Sequence, residues 1–143
     1  MATQIFINLP VKNLQQSIDF FTKLGFTFNP QFTDDSATCM IIADNIFAML
    51  LTETRFKDFT SKDIVDAKKA TEVLIALDAE SRDKVDEMIS NAKKAGGTIY
   101  MQSQDHGWMY AHGFADLDGH QWEILYMDKN AIPQDMASVE AQQ

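Results

Sequence analysis

The chain has a single cysteine, only 12 basic residues against 21 acidic ones, and no long apolar run. Each shortage excludes something. With Cys39 alone, no disulfide can form within the chain, and that usage fits a reducing, cytoplasmic compartment. The deficit of Lys and Arg leaves a formal net charge of −9, which opposes attraction to nucleic-acid phosphates or anionic lipid. The longest apolar runs, Met40–Ala43 and Ile46–Leu51, fall far short of the roughly 20 residues a membrane helix needs. The N-terminus also lacks the basic-then-apolar plan of a signal peptide. Neither nucleic acid nor membrane is therefore expected as a partner.

What is present is one pattern written twice. With 143 residues, 45% of them hydrophobic, the chain can bury a sizeable core. Residues Gln4–Leu9 alternate, with Ile5, Ile7 and Leu9 on one face and Gln4, Phe6 and Asn8 on the other, the pattern of a strand with two unlike sides. Asn13 with Gln16 three residues on reads as a capping box. Leu14, Ile18, Phe21 and Leu24 follow at helical spacing, and Gly25 stands where a left-handed stop is wanted. Strands are expected over Phe26–Phe32, Ala37–Ile42 and Ile46–Thr52, separated by the turns Thr33–Ser36 and Asp44-Asn45.

The grammar then repeats. Val73–Leu77 reads as a strand, and Ser81 caps a helix whose stripe is Val85, Met88, Ile89 and Ala92. Lys93 and Lys94 favour its last turn, and Gly96-Gly97 ends it. Strands follow at Thr98–Gln102, Trp108–Ala115 and His120–Met127, the last two joined by the turn Asp116-Leu117-Asp118-Gly119. The fold class is α+β, with two tandem β-α-β-β-β units whose curved mixed sheets surround a cleft. The units span residues 1–53 and 71–128, with a connector over 54–70 and a polar tail over 129–143. The connector lacks Gly and Pro, so it reads as ordered. Thr60 or Ser61 is expected to cap a short helix through Val65, and Phe56 and Phe59 need something to pack against.

The run Asn13-Leu14-Gln15-Gln16-Ser17-Ile18-Asp19-Phe20-Phe21 resembles the helix signature of the vicinal-oxygen-chelate superfamily, which holds glyoxalase I, extradiol dioxygenases, and fosfomycin- and bleomycin-resistance proteins. Lys23-Leu24-Gly25-Phe26 and the block Asp116 to Glu123 extend the resemblance, with Leu117 where that family usually has proline. It covers about Ile5 to Met127. The resemblance implies a divalent metal held by His and Glu on the first and last strands of each unit. Carried over position by position, those sites fall on Phe6, near Leu74, on a strand without acid or imidazole (Ile46–Leu51), and on Glu123. One carboxylate cannot hold a catalytic cation, so no metal and no other cofactor is expected.

The three histidines offer little replacement. If Gly113 pairs with Glu123, then His112 points to the opposite face, and a one-residue slip would reverse that. His120 reads as a turn residue and His106 as part of a loop. Cys39 has no activator nearby and reads as an inert buried thiol. Glu123 is the candidate anchor or catalytic base, facing a cavity lined by Phe6, Asn8 and Leu74, with Trp122, Ile124 and Tyr126 turned toward a helix. Met49 and Trp108 are further candidate ligand contacts, each with ordinary core packing as its alternative. Two functions follow. One is a metal-free, homodimeric protein binding a small amphipathic or aromatic molecule, as the resemblance to bleomycin-resistance proteins implies. The other is a lyase, isomerase or dioxygenase of the same superfamily, using Glu123 as base or a rebuilt metal site.

Overall fold

The computed structural model describes residues 1–133, so most of the tail expected over 129–143 lies outside the described residues. Two sheets of four strands form the framework. The first holds β1 (Ile5–Val11), β2 (Thr27–Asn29), β3 (Ala37–Ala43) and β4 (Ile46–Thr52) in the spatial order β1-β4-β3-β2. The second holds β5 (Leu74–Asp78), β6 (Thr98–Asp105), β7 (Met109–Ala115) and β8 (Gln121–Met127) in the equivalent order β5-β8-β7-β6. In each, the first strand runs parallel to the last and the remaining pairs are antiparallel. The duplicated α+β architecture is thus present in full.

The helices begin where their caps direct. Asn13 accepts the Gln16 N–H at 3.0 Å and opens α1 (Leu14–Lys23), which ends before Gly25 at φ +101°. Of the two paired helices, only α1 bears a long aromatic face: Phe20 and Phe21 are both buried, so the stripe is wider than Leu14, Ile18, Phe21 and Leu24 alone. Two differences arise in the connecting segments. The strand expected over Phe26–Phe32 stops at Asn29, because Pro30 opens a 3-10 turn through Phe32. The connector helix expected from Thr60 is absent. A single helical turn, α2 (Glu53–Phe56), instead follows β4 directly, capped by the Thr52 hydroxyl, while Thr60 accepts the Lys62 N–H in a local turn. In the second unit, α3 (Arg82–Lys94) is capped by Ser81.

Both units share one core. Leu9, Val11, Met40, Ala48 and Leu50 from the first sheet meet Ile75, Phe114, Trp122 and Ile124 from the second, with Phe20, Phe21, Val85 and Ile89 of the helices between them. Phe21 meets the Trp122 ring edge-on at 5.4 Å between centroids, and Phe20 lies 6.0 Å from Phe114. Aromatic contacts of this kind contribute about 0.5–1.5 kcal/mol beyond their buried area.

The β7–β8 turn fastens the units at one end. His120 Nε2 donates to the Pro10 carbonyl at 2.7 Å, and Asp118 Oδ1 accepts the Lys12 N–H at 2.8 Å. Beneath these, the Asp116 carboxylate is buried and accepts from the Trp122 indole and from the backbone N–H groups of Asp118 and His120, each at 3.0 Å. Burial pushes the Asp116 carboxyl above the usual carboxylate range, against the opposing pull of His120 and these donors. Gly119 completes the turn at φ +94°, with the connector backbone so close that a Cβ would stand 2.7 Å from Lys68 N.

Candidate functional site

Register decides which side chains can meet a ligand. Strand residues paired across a sheet point to the same face. In the first sheet, Ile7, Leu9 and Val11 turn into the core, leaving Phe6 and Asn8 on the open face beside their register partners Phe47 and Met49. Phe6 stacks on Phe47 at 4.9 Å and is still 50% exposed. In the second sheet, Trp122 and Ile124 turn into the core and Tyr126 packs against it, so Gln121, Glu123 and Leu125 face the open side. Leu74 and Ala76 of β5 pair with Gln121 and Glu123 and share that face, with Leu74 60% exposed.

The candidate residues therefore fall into two groups. Glu123 and Leu74 share one open face; Phe6, Asn8 and Met49 share the other. Because the two helix-covered faces meet in a common core, each open face lies on the far side of its sheet from that core. Phe6 and Leu74 stand half or more in solvent, so a pocket of Phe6, Asn8, Leu74 and Glu123 is not closed by one chain. Trp108 is only 9% exposed, and its carbonyl accepts the Asp128 N–H at 2.7 Å, which leaves little of the ring to meet a ligand.

Glu123 is half-buried among Leu74, Ala76 and Gly113, and no ion pair or side-chain hydrogen bond engages it among the described residues. His112 pairs with Ile124 and so lies on the helix-covered side, which removes it as a partner for Glu123. His120 is committed to Pro10, and His106 sits in the β6–β7 loop, its N–H on the Met109 carbonyl at 2.8 Å. Burial raises the Cys39 thiol, as an unactivated cysteine requires.

Within one chain, the positions where the resemblance implies ligands supply fewer donors than a divalent metal takes. Among the described residues no three His, Cys, Asp or Glu side chains converge. The implied ligand positions hold the hydrocarbon side chains of Phe6 on one face and Leu74 on the other, where Glu123 is the one carboxylate.

Tyr100 is the residue that strand grammar missed. The stretch Thr98–Met101 faces only Ala115–Gly113, so β6 carries one extra residue there. Such a bulge re-aims a side chain. The Tyr100 ring lies over Gly113, the register partner of Glu123, where a Cβ would meet its hydroxyl at 2.6 Å. That hydroxyl lies 3.5 Å from the Trp122 carbonyl, and the phenol is raised above its ordinary value, first by burial and then by the Glu123 carboxylate. An aromatic residue opposite a glycine was the available sequence signal, hidden by the bulge.

A second feature is a cavity of about 360 Å³ between the two units, whose lining also takes in Asn8 of β1 and Gln121 of β8. Ile7 and Leu9 of β1, Ile75 of β5, and Phe56 and Val65 of the connector line it, with His120 at one end. Phe56 thus finds its packing place there, whereas Phe59 is 67% exposed with the Arg55 guanidinium 5.3 Å above its ring. No helix of the described residues is long and apolar enough to cross a membrane.

Comparison with known proteins follows the same outline. No curated protein matches the chain. A hypothetical protein from S. aureus shares 27% identity and a TM-score of 0.75, over 88% of this chain and 95% of that one. A glyoxalase-related enzyme from Fulvimarina pelagi shares 17% identity and a TM-score of 0.74, over 87% and 88%. A genomically encoded fosfomycin resistance protein from Listeria monocytogenes shares 18% identity and a TM-score of 0.66, over 91% and 97%. At those identities the last two likenesses speak for the fold. The sequence profile of the glyoxalase/bleomycin resistance protein/dioxygenase superfamily matches residues 4–124, and the chain belongs to that superfamily.

Proposed function

We propose that this protein binds a small amphipathic or aromatic molecule without a resident metal, using Glu123 as the polar anchor on an otherwise apolar open face. The observation that carries the reading is the pairing of an unengaged, half-buried carboxylate with hydrocarbon at the positions where the resemblance implies metal ligands. A carboxylate with hydrocarbon neighbours and no partner within the chain offers its oxygens to a ligand donor.

The site is completed by a second copy of the chain. Phe6 and Leu74 sit on the edge strands β1 and β5, each open along one side, and an isologous dimer brings the first sheet of one protomer over the second sheet of its partner. Met49, Asn8 and the Phe6–Phe47 stack then face Glu123 across the interface.

Ligand-observed NMR with small aromatic amines, neutral compounds and acids, repeated on Glu123→Gln, tests the binding reading. Binders that lose about ten- to hundredfold in affinity with Glu123→Gln are expected, the worth of a charge-assisted hydrogen bond. A screen with no binder, or binders indifferent to that substitution, overturns it. Elemental analysis of protein purified without chelator tests the metal separately; near-stoichiometric metal favours an enzyme of the lyase, isomerase or dioxygenase type.

A further inference from the structure

We infer that Tyr100 and Glu123 form one donor–acceptor pair that selects ligands carrying a hydrogen-bond donor next to a carbonyl oxygen, of which a neutral carboxamide is the simplest. The inference deepens the binding reading above and rests on it. Three features of the second sheet place the pair. The extra residue in β6 turns Tyr100 onto the open face. Gly113 supplies the clearance in which the ring lies, its missing side chain being the space that the Tyr100 hydroxyl and Cζ occupy at 2.6 and 2.7 Å from an ideal Cβ. Glu123 is the register partner of that glycine on the next strand, and its charge is felt by the phenol.

The chemistry follows from what each group can do. An ionised carboxylate only accepts hydrogen bonds, and a protonated phenol donates one. Burial and the neighbouring carboxylate both favour the protonated phenol, so at neutral pH the two groups present one acceptor and one donor side by side. The hydroxyl's contact with the Trp122 carbonyl is long, at 3.5 Å, which leaves its proton free for a better acceptor. A carboxamide answers both groups from a single carbon, its N–H to Glu123 and its carbonyl to Tyr100. A carboxylate ligand brings no donor and meets the Glu123 charge. Leu74, Ala76 and Met101 provide apolar ground for an attached ring.

Benzamide and benzoate are the probes, followed by the backbone amide shifts of Gln121–Glu123 in the full chain. Benzamide should shift them and benzoate should not. Tyr100→Phe, which removes only the hydroxyl, should weaken benzamide by about three- to tenfold, the worth of one neutral hydrogen bond. Gly113→Ala keeps the hydroxyl but displaces the ring, and should weaken it comparably.

A ligand-free readout separates this inference from the broader reading. The Tyr100 ring resonance, titrated with pH, should ionise at lower pH in Glu123→Gln than in the wild type. An unchanged titration shows that the pair does not exist and overturns the inference, whatever else binds. Benzamide bound equally by wild type and Tyr100→Phe, or benzoate bound as well as benzamide, overturns it while leaving ligand binding at Glu123 intact. Absence of benzamide binding overturns the selectivity, and the wider reading falls only if the full screen also fails.

Discussion

Replacing Asp116 with alanine should unfold this protein more readily than almost any other single polar change. The carboxylate is 6% exposed and serves three donors at 3.0 Å: the indole of Trp122, itself fully buried, and the N–H groups of Asp118 and His120. Without it, the indole N–H has neither protein partner nor water, at about 1–3 kcal/mol. The two turn amides lie nearer solvent and lose about 0.5–1.5 kcal/mol each. Relief of the burial cost of the charge offsets part of this, so Asp116→Ala should cost about 3–4 kcal/mol, a large share of the 5–15 kcal/mol that hold a typical domain folded. Asp116→Asn keeps one acceptor and should cost roughly half as much. Urea denaturation reads the loss as a lowered midpoint at constant slope. A double-mutant cycle with Trp122→Phe, which deletes the indole donor, should return a coupling of about 1–2 kcal/mol. A loss below about 1 kcal/mol for Asp116→Ala, or no coupling to Trp122, refutes the view that this carboxylate holds the turn.

Other substitutions probe different joints. Phe21→Ala, at a side chain 1% exposed between Phe26 and Trp122, should cost about 3–5 kcal/mol in the same assay. Gly119→Ala combines a φ of +94° with a Cβ 2.7 Å from Lys68 N, so it should destabilise the chain and raise hydrogen exchange at Lys68–Ala70; intact protection there would contradict the close approach. The folded Asp116 carboxyl binds its proton more tightly than the unfolded one, so its contribution to stability is fullest below the ordinary carboxylate range and fades as pH rises through the raised value. Wild type should therefore gain on Asp116→Asn as pH falls. The lowered Asp34 and Asp105, which act in the opposite sense, are common to both proteins and cancel in that difference.

Local rules carried most of the fold. Asn13 and Ser81 mark both helix starts, Gly25 ends α1, and alternation in β1 and β8 separates core from open face without any tertiary knowledge. What local rules could not reach were the places where distant segments choose. The connector lacks periodicity, so the helical turn moved from Thr60 to the Thr52 cap at the end of β4. The Tyr100 bulge arises from a mismatch in length between two paired strands, which neither strand records alone. Asp116 looks like an ordinary turn acid, and only the folded chain shows the Trp122 indole arriving six residues later to claim it. At the site, side-chain direction was legible for Phe6, Leu74 and Glu123, because period two fixes it. The partition of these residues between two outward faces was not, since it depends on how the units pack.

The shared core also makes the repeat something other than two domains in tandem. Neither unit closes its interior alone: Phe20 of the first packs on Phe114, and Phe21 on Trp122, of the second. Cut within the connector, each half would expose the face that the other now covers, and the two fragments should recombine through it rather than fold apart. By the same logic, an ancestral single unit could persist only by pairing with its own copy through that face. Gene fusion would then have turned an association that depends on concentration into one guaranteed by the chain, leaving the two outward faces free to diverge, one into the aromatic stack of Phe6 and Phe47, the other into the tyrosine and carboxylate.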